Sequence, residues 1–193
     1  MKILSTYLWL LFVFIPMVAN AADKPASNKK QTIENLYLTA KEAYALKQSY
    51  GNKALFIDVR TPEELIFVGS AGTMDINIPF NTLDYAHWDD KHHGFRKVEN
   101  QQFVDLVDKA IRDRSLSKDS SIILMCRSGS RSAKAANKLA AKGYRKVYTV
   151  IDGFEGDKQK KGKLKGKRVV NGWKNADLPW SYHLEKGQLA GLK

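Results

Sequence analysis

The sequence predicts an α/β domain built on a mostly parallel sheet, and three observations carry that reading. Ala54-Leu-Phe-Ile-Asp-Val59, Ser121-Ile-Ile-Leu-Met125 and Lys146-Val-Tyr-Thr-Val-Ile151 are short runs, apolar on both faces, as strands buried between helices must be. Segments of helical spacing alternate with them, which is the pattern of crossover connections in a parallel sheet. At 193 residues, with 44% hydrophobic and 27% charged content, the chain suffices for one domain and is too apolar for a disordered one.

Lys2, the apolar stretch Leu8–Ile15, Pro16 and the small-residue site Ala19-Asn-Ala21 make a secretory signal with cleavage expected after Ala21. The run is too short for a membrane span, which needs ~20 apolar residues. The mature protein is thereby expected in an oxidising extracytoplasmic space, the periplasm, where a lone thiol is reactive. Residues 22–33 read as a flexible polar leader, 34–181 as the domain, and 182–193 as a tail.

Thr39 with Glu42 three residues on predicts a capping box opening a helix over Ala40–Gln48. After the strand at 54–59, Thr61-Pro62-Glu63-Glu64 reads as a second helix start, with Pro at its first position. Ile76-Asn-Ile78 is a short strand, residues 81–97 a polar loop, and 99–112 a helix carrying Phe103, Leu106, Val107 and Ala110 at helical spacing. From Ser130 to Lys142 a helix sets Lys134, Lys138 and Lys142 opposite Ala133, Ala136 and Ala140, small residues that permit close approach to a sheet. Ligands of such sheets sit at the carboxyl ends of the strands. Cys126, Asp58-Val-Arg60 and Asp152-Gly153 each follow a strand, so all three are expected on one edge.

The segment Met125-Cys126-Arg127-Ser128-Gly129-Ser130-Arg131-Ser132 holds the only cysteine, which excludes a disulfide framework or a multi-thiolate zinc site. A thiol between a strand and a helix faces unpaired backbone N–H groups and the positive end of the helix dipole. Gly129 lets those N–H groups curl into an anion-binding nest. Arg127 and Arg131 add positive charge, a setting that favours a reactive thiolate over an inert buried thiol.

These residues resemble the rhodanese (sulfurtransferase) family. The likeness runs through Phe56-Ile-Asp58-Val-Arg60-Thr-Pro-Glu-Glu, Ile76-Asn-Ile-Pro79-Phe, Cys126-Arg-Ser-Gly-Ser-Arg131-Ser, Gly143-Tyr-Arg-Lys-Val-Tyr148 and Asp152-Gly-Phe-Glu-Gly156, then Gly172-Trp-Lys-Asn-Ala-Asp-Leu-Pro179. It implies a single rhodanese-like domain with a five-stranded central sheet. It also implies a ping-pong reaction in which Cys126 takes the outer sulfur of a small anionic donor such as thiosulfate and passes it to a thiol or cyanide. Arg127, Ser128, Gly129, Ser130 and Arg131 would bind the donor anion, with Asp58 and Arg60 as a supporting ion pair. No cofactor or metal is implied. A rival within the same likeness is a non-catalytic sulfur carrier or partner-binding module. Cysteine phosphatases place five residues between Cys and Arg; Cys126 and Arg131 enclose four, which disfavours phosphate chemistry.

Two departures from the family pattern stand out. Gly69-Ser-Ala-Gly-Thr-Met-Asp75 occupies the place of the usual Gly-His-Ile. Residues 157–171 read as an insertion, because deleting them joins Gly153-Phe-Glu-Gly156 to Gly172-Trp173. The insert carries six lysines and Arg168 against Asp157, a net +6 and over half of the net charge left once Lys2 is removed with the signal. It is expected beside the cysteine, either as a solvated hairpin with Val169-Val170 tucked down or as a patch that steers anionic donors, an acidic periplasmic protein or a membrane surface through Lys158–Arg168. Nucleic acid is not expected as a partner of a secreted protein. His87, His92 and His93 read as exposed loop histidines rather than metal ligands, and Trp173, Trp180 and Tyr182 as pins for the C-terminal segment.

Overall fold

The computed structural model describes residues 22–190, so the expected signal and its cleavage site lie outside the described residues. In chain order the elements are β1 (Tyr37–Leu38), α1 (Ala40–Tyr50), β2 (Ala54–Asp58), α2 (Pro62–Val68), β3 (Ser70–Ala71), β4 (Ile76–Asn77), β5 (Asn81–Asp89), β6 (Gly94–Glu99), α3 (Phe103–Asp113), β7 (Ser121–Met125), α4 (Ser130–Ala140), β8 (Val147–Val150) and β9 (Trp180–Ser181). Five of the strands form one sheet in the order β1-β8-β7-β2-β4. Every pairing in it is parallel.

Strand β1, two residues long, has no apolar run to announce it; Tyr37 and Leu38 are fully buried against Thr149 and Val150. The expected capping box of α1 is present, with Thr39 accepting from the N–H of Glu42, and the expected start of α2 carries a second one, with Thr61 accepting from the N–H of Glu64. Alternate residues of the central strands fill opposite cores. Leu55, Ile57, Ile122 and Leu124 pack with Val107 of α3 and with Ala136 and Leu139 of α4. Phe56, Ile123 and Met125 pack with Ala43 and Leu46 of α1 and with Trp173.

Register then sets the site. Asp58 lies opposite Met125, and Leu124 opposite Thr149, so β2, β7 and β8 end together. The loops that follow them emerge on one edge, as expected, and the Val59 N–H donates to the Met125 carbonyl at 2.8 Å.

Several expectations are corrected. The segment 81–97 is not a loop but most of an antiparallel hairpin, β5 with β6. Its strands stand off the main sheet with most side chains exposed, so no buried face writes a two-residue alternation into the sequence. Edge-to-face contacts of Phe95 with Tyr85 and Trp88 hold it, with an Asp84–Arg96 ion pair. The leader is tied down: the Thr32 N–H donates to the Tyr37 hydroxyl at 2.9 Å, that of Ile33 to Asn137 Oδ1 at 2.8 Å, and Lys30 pairs with Asp157 at 2.9 Å. The tail extends the packed domain past residue 181, since Leu189 bridges Asn77 and the Ala190 N–H donates to the Asn77 carbonyl.

The insert leaves and re-enters the domain at one point. A Cβ on Gly172 would stand 2.4 Å from the Gly156 nitrogen, so only glycine permits the two ends to touch. Lys158 bridges Arg168 in antiparallel fashion. Val169 and Val170 are not tucked down; they are 42% and 53% exposed.

Candidate active site

Cys126 is the first residue past β7 and is itself buried. Gly129 caps α4 in the left-handed region, at φ 96°, and turns its N–H onto Cys126 Sγ at 3.2 Å. One backbone N–H of the loop thus faces the sulfur. No side chain fits at Gly129, because a Cβ would stand 2.2 Å from the Ile151 carbonyl oxygen. Ser132 fixes the turn from behind, donating to the Gly129 carbonyl at 2.9 Å and pairing with the Thr149 hydroxyl at 2.8 Å.

The loop after β8 clamps the cysteine loop. Phe154 donates to the Cys126 carbonyl at 2.8 Å and Glu155 to that of Arg127 at 3.0 Å. Gly153 makes the approach possible, since a Cβ there would lie 2.5 Å from the Cys126 carbonyl oxygen.

A cavity of about 560 Å³ opens over the sulfur. One wall is Arg127, Ser128, Ser130, Arg131 and Lys134 from the loop and α4; the other is the hairpin, through Asp89, His92, Phe95 and Lys97. Hence Cys126, Arg127, Ser128, Ser130 and Arg131 do come together, with Gly129 beneath them. His92 and His87 pair with Asp89 and Asp84 rather than with one another. Among the described residues no three His, Cys, Asp or Glu side chains are placed to hold a metal.

Arg131 is oriented more tightly than the sequence suggests. Its guanidinium forks onto Glu64 with two bonds of 2.7 Å. Burial pushes the Glu64 carboxyl up, but the Arg131 hydrogen bonds and charge, together with the Thr61 N–H and the Arg60 charge, outweigh it and hold the group at about 2. Part of the Arg131 charge is therefore already answered, and Arg127, Lys134 and Lys97 carry the free positive charge of the cavity. Lost hydration around its ammonium, then repulsion from Arg131 and Arg127, holds Lys97 below the ordinary lysine range.

Sequence reasoning missed Lys97, which sits on a hairpin it took for a loop, and gave Glu64 no role. Lys134 was visible only as one of a row of helix lysines. Asp58 and Arg60 lie under the site, not in it. Both are fully buried, joined at 2.7 Å, and the guanidinium reaches the Gly69 carbonyl at 2.9 Å and stacks 4.1 Å above the Phe154 ring. The stretch that replaces Gly-His-Ile thus contacts the site's supporting ion pair through Gly69.

Comparisons with known proteins agree with this geometry. The model of the rhodanese-like domain matches residues 39–160. The uncharacterized protein RP600 of Rickettsia prowazekii is 36% identical over 133 residues, which is 68% of this chain and 85% of that one. Thiosulfate sulfurtransferase 18 of Arabidopsis thaliana is 31% identical over 101 residues, 51% of this chain and 62% of that one. The crystal structure of Rv0390 from M. tuberculosis superposes with a TM-score of 0.57 at 27% identity, covering 76% of this chain and 97% of its own. A parallel five-stranded sheet, a cysteine at the end of its middle strand and a family model spanning most of the described residues lead to one statement: the chain belongs to the rhodanese-like family of sulfurtransferase-type domains.

Proposed function

We propose that the protein is a periplasmic sulfurtransferase that moves sulfane sulfur from a small anionic donor such as thiosulfate to a thiol, or to cyanide as a laboratory acceptor, through a Cys126 persulfide. One observation supports this reading above the others: Sγ of Cys126 accepts the Gly129 N–H at the base of a cavity walled by Arg127, Lys134 and Lys97. That arrangement suits both a thiolate and an anionic donor arriving at it.

The Cys126 thiolate attacks the outer sulfur of thiosulfate. A new S–S bond forms as the donor's S–S bond breaks, and sulfite leaves with the bonding pair. Arg127 and Lys134 hold the sulfonate oxygens, Lys97 closes over them from the hairpin, and the Gly129 N–H steadies the charge on the cysteine sulfur. The acceptor thiolate then attacks the outer persulfide sulfur, and Cys126 leaves as thiolate. No net oxidant or cofactor enters either step.

A carrier module would load the same sulfur but fail to turn over. Intact-mass measurement after incubation with thiosulfate separates the two readings. One added sulfur at Cys126, repeatedly discharged by cyanide, supports the enzyme; loading without turnover supports the carrier. Loading that persists in Cys126→Ser overturns both. Fractionation of cells producing the full chain tests the compartment, and retention of the uncleaved chain in the cytoplasm overturns it.

A further inference from the structure

A second, larger cavity of about 1030 Å³ lies between the leader and the insert. It shares Ser128 with the cysteine cavity, so the two meet at the cysteine loop. Pro25 and Val170 give it apolar walls, and Lys158, Lys160 and Lys161 line it from the insert. The Lys30–Asp157 pair joins the leader wall to the insert and consumes the insert's single acid. Among the described residues no ion-pair partner is present for Lys158, Lys160, Lys161, Lys163, Lys165 or Lys167.

The insert is also braced against the reactive loop. The Gly156 N–H donates to the Arg127 carbonyl at 3.3 Å, and Arg168 donates to the Gly156 carbonyl. Its position beside Cys126 is therefore set by hydrogen bonds and not by chance of a floppy loop.

We propose that this groove docks an acidic polypeptide segment, carrying apolar side chains, of the protein that takes the sulfur from Cys126. The inference rests on the sulfur-transfer reading and names its acceptor. A cavity of this volume far exceeds a thiosulfate ion, whereas an extended peptide fills it and presents carboxylates to the lysines and an apolar side chain to Pro25 and Val170. Its residues beyond Ser128 enter the cysteine cavity. A single-stranded nucleic acid would want aromatic stacking faces, and no aromatic residue lines the groove. A bilayer presents a flat surface, which does not enter a groove between two walls. At the end of the docked segment the acceptor's cysteine thiolate attacks the outer persulfide sulfur. The acceptor gains a persulfide, and the Cys126 sulfur leaves with the bonding pair.

The test uses the mature chain and a synthetic fluorescein-labelled peptide of glutamates and leucines ending in cysteine, beside a second peptide with glutamine for every glutamate. The acidic peptide is expected to bind, and to draw sulfur from loaded Cys126 faster than its neutral twin by about tenfold or more at low salt, a margin that salt erodes. Lys158→Glu/Lys160→Glu/Lys161→Glu is expected to abolish that margin while discharge by cyanide stays unchanged. Cys126→Ser is expected to bind the acidic peptide as well as the parent does. Binding by Cys126→Ser without any sulfur loading of the parent would leave docking standing and sink the sulfur-transfer reading. Equal rates for the two peptides, with cyanide turnover intact, would overturn the docking proposal alone. So would charge-dependent binding to phosphatidylglycerol vesicles with none to the peptide.

Discussion

Arg131 and Glu64 meet in a two-pronged ion pair, with both guanidinium–carboxylate bonds at 2.7 Å, that joins the first turn of α4 to the first turn of α2. Each partner also answers a local need. Glu64 closes the Thr61 capping box through its Thr61 N–H bond, and Arg131 lines the cysteine cavity. One interaction therefore ties a helix cap to the wall of the site.

Breaking this pair should cost stability and release a charge into the cavity. Glu64→Gln is expected to lower unfolding stability by about 2 kcal/mol, as loss of charged hydrogen bonds to a mostly buried arginine implies. The pH dependence has a definite sign. A carboxyl held at about 2 in the folded chain, against about 4.3 in an unfolded one, stabilises the fold above the unfolded value and ceases to do so as pH falls toward 2. Urea melts between neutral pH and pH 3 should show a loss in the parent that is smaller in Glu64→Gln. Identical slopes would refute the assignment.

Gly129→Ala should be far more damaging than an ordinary glycine replacement. The left-handed φ alone costs on the order of 1 kcal/mol, and the methyl would stand 2.2 Å from the Ile151 carbonyl oxygen. The expected outcome is a melting temperature well below that of the parent, together with loss of sulfur loading from thiosulfate in whatever fraction stays folded. Parent-like stability and loading would show that the loop accommodates a methyl group at position 129 and would overturn the steric argument.

The parts of this fold legible in the sequence are those where one residue type had one physical use. Thr39 with Glu42 and Thr61 with Pro62 announced helix starts, and the runs at 54–59, 121–125 and 146–151 could be buried only as central strands. The cysteine loop was legible for the same reason. The hairpin was not, because its cross-strand contacts, such as Asp84 with Arg96 and Tyr85 with Phe95, leave most of their surface in water and its register shifts between Asp84 and Trp88. Nor was the anchoring of the leader, which depends on Asn137 and Tyr37 accepting its N–H groups. The Arg131–Glu64 pair spans 67 residues, and nothing local marks Glu64 as more than a helix-capping acid.

Lys97 offers a test of the hairpin's part in the site. Lys97→Gln is expected to raise KM for thiosulfate about fivefold with a smaller change in kcat, as removal of one charge-assisted contact to a bound anion implies. Because lost hydration, Arg131 and Arg127 hold its ammonium below the usual lysine range, KM in the parent should rise at alkaline pH before ordinary lysines titrate. That early rise should vanish in Lys97→Gln. An unchanged KM in the variant would remove the hairpin from donor binding.

The last prediction separates support from chemistry at Asp58 and Arg60. Asp58→Asn replaces a carboxylate that receives both Nε and Nη2 of a fully buried arginine by a neutral amide with one acceptor oxygen, and it leaves the guanidinium with no counter-charge in that pair, only neutral acceptors such as the Gly69 carbonyl and the face of Phe154. Uncompensated burial of that charge should destabilise the chain by about 3–5 kcal/mol. Asp58→Leu/Arg60→Met, which removes both charges, should recover much of the loss. Neither side chain lines the cysteine cavity, so the folded fraction of the double variant should still load sulfur at Cys126 with a near-parental KM for thiosulfate. A KM raised tenfold in a fully folded double variant would move the pair from beneath the site into it.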